Sequence, residues 1–147
     1  IVTGPVAKNM ITAFFFQLGK INAGASRPKG VEKSPTRKVG ILGAGMMGQG
    51  IAYVSAKAGI EVVLKDMTQE AANKGKAYSE TLVNKAVKRG KMFQSQADAL
   101  LKLITPTAQD EDLRGCDLII EAVFENVELK NKIIANTEQY LSEDGFW

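Results

Sequence analysis

From residue 38 onwards, short apolar runs alternate with longer stretches in which apolar side chains recur every three or four residues. Short continuous apolar runs are typical of strands buried on both faces of a sheet, and the chain contains such runs at 38–43, 61–66, 104–107 and 116–123. The three-to-four-residue spacing predicts helices over 46–59, 68–90, 95–103 and 127–141. A last apolar stretch, 145–147, has the pattern of the start of a fifth strand. Strands that alternate with helices predict an α/β fold with a parallel sheet and helices on both of its faces.

The ends and faces of the helices can be predicted from single residues. Gly59 is a suitable C-cap for the first helix of this region, and the Thr68 hydroxyl can accept a hydrogen bond at the start of the next. The buried face of that second helix is expected to carry Tyr78, Leu82 and Ala86. In the last helix, the side chains expected to face the sheet are Leu129, Ile133, Ile134, Tyr140 and Leu141.

A separate amphipathic stretch, 6–21, precedes this region. Its apolar residues recur at helical spacing, and Phe14, Phe15 and Phe16 widen the apolar face. The pattern predicts a helix that packs against another surface, because a large exposed apolar patch rarely persists on a soluble monomer. We expect that surface to be the body of the same chain or a second copy in a homo-oligomer.

The stretch 22–38 contains two prolines, several small residues and charges of both signs, which is typical of a linker. We therefore expect a linker helix with its linker over 1–36, called the leader below, and a separate domain over 37–147.

Residues 1–38 carry seven basic and one acidic side chain, and the remaining residues carry 12 basic and 15 acidic side chains. The overall net charge of +3 thus comes from the leader region. The domain has no basic stripe with interleaved aromatic side chains, so no nucleic-acid binding is predicted.

Composition sets further limits on the class of protein. Of the 147 residues, 45% are hydrophobic and 24% are charged, which is ordinary for a globular domain. No apolar run approaches the ~20 residues that a membrane-spanning helix needs, so no membrane span is predicted. The single cysteine, Cys116, excludes an internal disulfide and fits a reducing compartment. The chain contains no histidine, and no metal site is predicted.

The sequence GILGAGMMGQGIA, 40–52, holds three glycines at the spacing G-x-G-x-x-G, between a predicted strand and a predicted helix. In this context Gly43 allows the chain to turn out of the strand, Gly45 allows the backbone to approach a diphosphate, and Gly48 allows the helix to pack closely on the strand. The helix N-terminus adds N–H groups and a partial positive charge. The motif therefore predicts a Rossmann-type doubly wound parallel sheet with a dinucleotide site at the carboxyl ends of its strands.

Asp66 lies 18 residues after Gly48, at the end of the second predicted strand. An acid at this place accepts hydrogen bonds from the hydroxyls of the adenosine ribose and repels a 2′-phosphate, so NAD is favoured over NADP. Lys65 points to the opposite face of the strand and is not expected to bind that phosphate. The alternative is that the glycines form only a turn and that Asp66 only ends a strand.

A second informative stretch is EAVFENVELK, 121–130. Glu121 ends the fourth predicted strand, and Asn126 is suited to cap the helix that follows. Glu125 and Lys130 would then lie at the carboxyl edge of the sheet, near the nicotinamide end of a bound dinucleotide. The residues alone leave a second interpretation open, in which Glu125 is an exposed loop acid and Lys130 is a solvated lysine.

Taken together, GAGMMGQGIA, Asp66 and IIEAVFENVELK resemble the NAD-binding domain of the L-3-hydroxyacyl-CoA dehydrogenases, over about residues 37–147. The methionine before the third glycine and the run E-A-V-x-E-N-x-x-x-K separate this family from other proteins with the same glycine spacing. The leader is similar to the segment that joins the hydratase part to the dehydrogenase part in multifunctional fatty-acid oxidation proteins. The resemblance implies NAD as the cofactor, with contacts at Gly43, Gly45, Met47, Gly48, Asp66, Val123, Phe124, Glu125 and Lys130.

In this family a histidine paired with a glutamate acts as the base on the 3-hydroxyl, serine and asparagine hold the substrate, and an all-helical C-terminal domain closes over the acyl-CoA. All of these follow the point where this chain stops, so no catalytic residue is expected in it. The resemblance implies a fragment that binds NAD but lacks activity alone, from an enzyme that oxidises L-3-hydroxyacyl-CoA to 3-oxoacyl-CoA in β-oxidation. The missing hydratase and C-terminal domains would be its partners, in a bacterial cytoplasm or a mitochondrion. The alternative is a regulatory domain that senses NAD(H) without catalysis.

A basic run lies at the end of the long second helix and consists of Lys85, Lys88, Arg89 and Lys91. The family places acyl-CoA near this helix, so the resemblance implies that Lys85 and Lys88 meet the phosphates of CoA. The alternative is a solvated helix end, where positive charges suit the negative end of the helix dipole.

Overall fold

The computed structural model describes residues 3–32 and 34–147; the first two residues and Lys33, one of the basic residues of the leader, lie outside the described residues. The chain divides into two compact units, Ile1–Pro35 and Thr36–Trp147. All of the described strands lie in the second unit, and the described part of the first unit contains helical segments and turns. None of the described helices is both long enough and apolar enough to cross a membrane.

The first unit contains the helix that was predicted over 6–21. Three helical segments follow one another without a break: α1 (Pro5–Ile11), a π-helical stretch (Thr12–Gln17) and α2 (Leu18–Asn22). None of the residues in these segments is buried, and the side chains of Phe14, Phe15 and Phe16 are exposed. The surface that would cover this apolar face therefore stays a prediction.

The second unit contains one five-stranded sheet. Its strands are β1 (Lys38–Leu42), β2 (Glu61–Lys65), β3 (Ile104–Thr107), β4 (Cys116–Glu121) and β5 (Leu141–Phe146). They lie in the order β3-β2-β1-β4-β5, and all of the pairings are parallel. This confirms the predicted Rossmann-type α/β fold. Because the strand order reverses between β1 and β4, a crevice forms at the carboxyl ends of these two strands, where sheets of this kind bind ligands.

Helices cover both faces of the sheet. They are α3 (Met46–Lys57), α4 (Gln69–Lys88), α5 (Gln94–Lys102) and α6 (Val127–Thr137). The larger core contains Ile41 and Leu64 from the strands and is covered by α3, α4 and α5. A smaller core on the opposite face contains Leu42 and Val63 and is covered partly by Ile133 of α6. Both faces are buried, and this is why the strands were recognisable as continuous apolar runs.

The helix caps follow the predicted chemistry. Gly59, the residue after the C-cap Ala58 of α3, has a φ of +84°, as a glycine just past a helix C-terminus commonly has. The Thr68 hydroxyl accepts a hydrogen bond from the Ala71 N–H at 3.1 Å, and the Asn126 side chain accepts one from the Leu129 N–H at 2.9 Å. The starts of α4 and α6 are therefore determined by side chains within the first turn.

The buried face of α4 differs from the predicted face. Tyr78 has 39% of its surface exposed, and Leu82 and Ala86 are only half-buried. The fully buried residues are Ala72, Gly75, Ser79 and Val83. The prediction was wrong because it followed the largest apolar side chains, whereas α4 packs so closely on the glycine loop and β2 that its contact line holds small residues.

The last helix is shorter than predicted. α6 ends at Thr137, and β5 begins at Leu141 instead of at residue 145. Ile134 was wrongly placed on the buried face, since it is exposed while Thr137 is buried; the other four residues predicted for that face are half-buried. The Tyr140 carbonyl accepts the Gly115 N–H at 2.8 Å, which joins the chain to the start of β4 before the helix can continue. The polar residues of β5 obscured it in the sequence, because an edge strand commonly carries polar side chains.

Candidate functional site

The glycine loop connects β1 to α3 at the centre of the crevice. Gly43 has a φ of +97°, and a Cβ on it would lie 2.6 Å from the Ala122 carbonyl oxygen. A Cβ on Gly48 would lie 1.7 Å from the Gly43 carbonyl oxygen. A Cβ on Gly45, in contrast, would meet no atom of the described residues within 4 Å. The loop is therefore closed to side chains at its two outer glycines and open at the middle one, where a ligand can approach the backbone.

The N-terminus of α3 opens into a cavity beside this loop. Gly45 is the N-cap residue, no side chain in the described structure caps it, and the first turn contains no acidic residue. The uncapped N–H groups and the helix dipole favour an anionic group at this place. The cavity has a volume of about 320 Å³ and is lined by Ala44, Gly45, Met46, Gln49, Asp66, Ala71 and Lys74.

Asp66 follows β2 and lines this cavity beside the glycine loop. Its Oδ2 accepts the Ala44 N–H at 2.7 Å, and its Oδ1 accepts the Met67 N–H at 2.7 Å. Each oxygen keeps a second lone pair, which can accept a hydrogen bond from a ligand hydroxyl. Lys65 does not line this cavity, and its Nζ forms an ion pair with Asp110 at 2.9 Å.

Lys74 lines the same cavity, and sequence reasoning missed it. It is the basic residue among the lining side chains, so the cavity contains charges of both signs. The sequence did offer one signal for Lys74. It lies on the second turn of α4, and this helix begins at Gln69, three residues after Asp66.

The second informative stretch lies on the other side of the glycine loop. Glu121 ends β4, its Oε1 accepts the Val123 N–H at 2.7 Å, and its Oε2 lies 3.0 Å from Lys130 Nζ. Lys130 Nζ also lies 2.8 Å from Glu125 Oε2. Hydrogen bonds to Glu125 and Glu121 raise the pKa of Lys130. The structure thus brings the predicted pair together and adds Glu121, which sequence reasoning had treated only as the end of a strand.

Residues from three strand ends meet in a second, smaller cavity. Its volume is about 40 Å³, and Gly43, Asp66 and Val123 are among its lining residues. Met47 and Phe124 are not among them, and their side chains are 67% and 80% exposed. Exposed apolar side chains at the edge of the crevice offer surface that a planar ligand ring can cover.

The basic residues at the end of α4 form a separate feature. Lys85 and Lys88 line an open groove of about 560 Å³ together with Thr81, Asn84 and Arg89. None of these residues lines the cavity at Asp66. The groove therefore offers three positive charges to a ligand group that lies away from the glycine loop.

The groups available for chemistry are few. The chain contains no histidine, and among the described residues no three His, Cys, Asp or Glu side chains are grouped so that they could hold a metal ion. Burial raises the pKa of the Cys116 thiol to about 11, so it is not a nucleophile at neutral pH. The arrangement is suited to binding a diphosphate, hydroxyl groups and planar rings, and it lacks the common proton-transfer group of enzymes.

Comparison with known proteins identifies relatives of this chain. A family model described as "3-hydroxyacyl-CoA dehydrogenase, NAD binding domain" matches residues 38–146. The alpha subunit of a fatty acid oxidation complex from Idiomarina loihiensis is 36% identical over 121 residues, which cover 80% of this chain and 17% of that protein.

Solved structures also match this chain over about three-quarters of its length. The (S)-3-hydroxybutyryl-CoA dehydrogenase of Ralstonia eutropha is 34% identical with a TM-score of 0.69, over 75% of this chain and 39% of that one. The 3-hydroxybutyryl-CoA dehydrogenase of Escherichia coli is 31% identical with a TM-score of 0.70, over 76% of this chain and 24% of that one. The chain thus spans less than half the length of these relatives.

Proposed function

Because the chain belongs to the 3-hydroxyacyl-CoA dehydrogenase family, as its NAD-binding domain, we propose that NAD lies across the crevice between β1 and β4. The adenosine half would lie on the side of Asp66 and the nicotinamide half on the side of Glu125. The observation that supports this most is the open space at Gly45, beside the uncapped N-terminus of α3. A diphosphate would enter there without displacing a side chain and would gain hydrogen bonds from the N–H groups.

Each proposed contact follows from what its residue offers. Asp66 accepts hydrogen bonds from the ribose hydroxyls through its remaining lone pairs. Glu125 offers an acceptor and Lys130 a donor near the nicotinamide. When bound, NAD supplies the ring that accepts a hydride, and the residues of this chain position it. The proposed contacts are Gly43, Gly45, Met47, Gly48, Asp66, Val123, Phe124, Glu125 and Lys130.

For the whole protein we propose the oxidation of L-3-hydroxyacyl-CoA to 3-oxoacyl-CoA by NAD, in fatty-acid β-oxidation. The 147 residues contain no histidine, which is the usual base for removing such a hydroxyl proton. We therefore propose that this chain binds NAD(H) and does not turn over the substrate by itself. Its partners would be a hydratase domain and a C-terminal dehydrogenase domain, in a bacterial cytoplasm or a mitochondrion.

The groove at the end of α4 is the proposed contact for the acyl-CoA substrate. Lys85 and Lys88 would meet the phosphates of CoA, because they and Arg89 place three positive charges along one groove. Phosphates bound there would leave the glycine loop open to NAD, since the groove and the cavity at Asp66 share no lining residue.

The leader, residues 1–36, is proposed to be the link from a hydratase-type domain. Its helical segments expose Phe14, Phe15 and Phe16, and a large exposed apolar patch rarely persists on a soluble monomer. We propose that the body of this chain or a second copy covers this face when the hydratase-type domain is missing.

The proposed position of the diphosphate can be tested with two substitutions at one site. Gly45→Asp and Gly45→Asn place side chains of similar size into open space, and both are preferred N-cap residues. We therefore expect both variants to keep or raise the free energy of unfolding. The carboxylate would repel a diphosphate, whereas the amide would not. In a calorimetric titration we expect NADH to bind Gly45→Asp at least about tenfold more weakly than Gly45→Asn.

Gly50→Ala is the matched control, because Gly50 also lies in α3 and a Cβ on it also meets no described atom within 4 Å. It should bind NADH as tightly as the unmodified chain does. If folded Gly45→Asp and Gly45→Asn bind NADH equally well, the diphosphate does not lie at this helix N-terminus.

A separate titration with acetoacetyl-CoA tests the groove at Lys85 without involving the glycine loop.

A further inference from the structure

Glu121 connects two elements that border the crevice. As the last residue of β4, it accepts the Val123 N–H through Oε1 at 2.7 Å and faces Lys130 Nζ through Oε2 at 3.0 Å. Val123 belongs to the loop that follows β4, and Lys130 belongs to the first half of α6. One carboxylate on a central strand therefore holds both the loop and the helix.

The two carboxylates that face Lys130 differ in how firmly they are held. The Glu121 side chain is 19% exposed, and the Glu125 side chain is 87% exposed. An exposed ion pair contributes little to stability and is easily exchanged for another partner. Glu121 is fixed by its strand and by a backbone hydrogen bond, so it is the partner that keeps Lys130 in place when Glu125 moves.

We propose that Glu121 is a positioning residue for the nicotinamide half of the cofactor. It orders the Val123 amide and the Lys130 ammonium before the ligand arrives, and it leaves the exposed Glu125 available to turn toward the ligand. This proposal rests on the proposed function, since it requires the loop after β4 to contact NAD. Groups that are ordered in advance bind a ligand more tightly, because less conformational freedom is lost on binding.

Three substitutions test the proposal in the full 147-residue chain. Glu121→Gln keeps an acceptor for the Val123 N–H and removes the charge that faces Lys130, whereas Glu121→Ala removes both. Glu128→Gln, an exposed residue in the first turn of α6, controls for the loss of one negative charge from this region. In a fluorescence titration, we expect the dissociation constant for NADH to rise about threefold in Glu121→Gln and at least about tenfold in Glu121→Ala, with no change in Glu128→Gln.

A second readout does not involve the cofactor. NMR of isotope-labelled lysine, with the Lys130 signal assigned through Lys130→Arg, follows the titration of its ammonium group. Glu121→Gln should lower the pKa of Lys130, because one of the two carboxylates that stabilise its charged form is lost. An unchanged Lys130 pKa in folded Glu121→Gln would show that Glu121 does not hold Lys130 in solution, and it would overturn the positioning role.

The results separate this proposal from the proposed function. If the unmodified chain does not bind NADH, the proposed function fails; if it binds NADH but the Lys130 titration is unchanged in Glu121→Gln, only the positioning role is overturned. If the unmodified chain binds NADH and Glu121→Gln binds it equally well, only the positioning role is overturned. Should Glu121→Ala not fold, Glu121→Gln decides the matter, since its amide preserves the backbone hydrogen bond at the end of β4.

Discussion

Gly75 of α4 lies so close to Ala44 of the glycine loop that a Cβ on Gly75 would be 2.6 Å from the Ala44 Cβ and 2.9 Å from the Ala44 carbonyl oxygen. The Ala44 N–H also donates a hydrogen bond to Asp66. The packing of α4 therefore determines the position of both the glycine loop and the acid at the end of β2.

We expect Gly75→Ala to lower the free energy of unfolding by up to ~2 kcal/mol, since overpacking costs ~1–3 kcal/mol and the helix propensity of alanine offsets up to ~1 kcal/mol. NADH affinity should also fall, because Ala44 must shift. Gly50→Ala is the matched control, because Gly50 is a helical glycine with open space around it. Its free energy of unfolding should rise by up to ~1 kcal/mol. Urea unfolding measures both changes. Equal gains in the two variants would show that α4 does not pack tightly on the loop.

We expect NADH to bind more tightly than NADPH. Asp66→Ala should reduce this difference, because the ribose hydrogen bonds and the repulsion of a 2′-phosphate account for ~1–3 kcal/mol. Lys74 should then become the main partner of the phosphate, so adding Lys74→Met should lower NADPH affinity by up to about fivefold. Adding Lys76→Met instead, at a residue that lines a different groove, should leave the NADPH affinity unchanged. Fluorescence titrations measure these affinities, and equal binding of both nucleotides by the unmodified chain would contradict the role of Asp66.

Acid should destabilise the domain partly through Asp117. Its Oδ2 accepts the N–H groups of Arg37 and Lys38 at 2.7 and 2.9 Å, and hydrogen bonds from the backbone of Lys38 and Arg37 hold its pKa below the ordinary value of 3.8. A pKa that is lower in the folded state contributes stability above the unfolded pKa and loses it as the pH falls through the folded pKa.

We therefore expect Asp117→Asn to lower the free energy of unfolding by about 1 kcal/mol at pH 7, after allowance for solvent screening, and to flatten its decrease below about pH 4. Urea unfolding at a series of pH values measures this. Asp144→Asn, at an exposed position on β5, controls for the loss of one negative charge. An unaltered pH dependence in Asp117→Asn would mean that these hydrogen bonds do not persist in solution.

Cys116 should be inert in the folded chain. It is fully buried, and with a pKa of about 11 only about one thiol in a thousand is ionised at pH 8. An unfolded cysteine has a pKa of about 8.5, so we expect modification by a thiol reagent to be at least a few hundredfold slower in the native chain than in urea. Native labelling within tenfold of the unfolded rate would show that the start of β4 opens readily.

The chain should bind NADH without oxidising it in the presence of acetoacetyl-CoA. Proton transfer to or from the substrate needs a positioned group, and loss of a general base alone costs ~10²–10⁴ in rate. Glu125 is the nearest conceivable substitute, but its side chain is 87% exposed, and a solvated carboxylate is a weak base for an alcohol. NADH absorbance provides the assay. Turnover within a hundredfold of ordinary enzyme rates, abolished by Glu125→Gln, would show that the chain carries its own acid–base group.

The parts of the fold that the sequence predicted are those that local patterns determine. The four apolar runs form β1 to β4, and the glycine spacing correctly indicated the turn between β1 and α3. Thr68 and Asn126 cap their helices through hydrogen bonds to residues three positions away. Such features depend on neighbouring residues alone, so periodicity and cap chemistry are enough to predict them.

The parts that the sequence did not predict depend on contacts between distant segments. Lys74 lines the cavity of Asp66 because α4 packs on the glycine loop, and its place on the second turn of α4 does not by itself reveal that packing. Glu121 has two partners, and only the structure shows that the first turns of α6 bring Lys130 back to the end of β4. The small residues on the buried face of α4 were overlooked because side-chain size, without its partner surface, is a poor guide to burial.

The closeness of Gly48 to the Gly43 carbonyl limits how a site of this shape can evolve. Any side chain at position 48 would overlap the backbone, so this position cannot change without refolding the loop, whereas Gly45 has open space around it. Lys74 stands on an exposed face of α4, where side chains can be exchanged at little structural cost, whereas replacing Asp66 also removes its hydrogen bonds from the Ala44 and Met67 N–H groups. Under the proposed function, nucleotide preference can therefore change through substitutions at Asp66 and Lys74, whereas positions 43 and 48 admit only glycine.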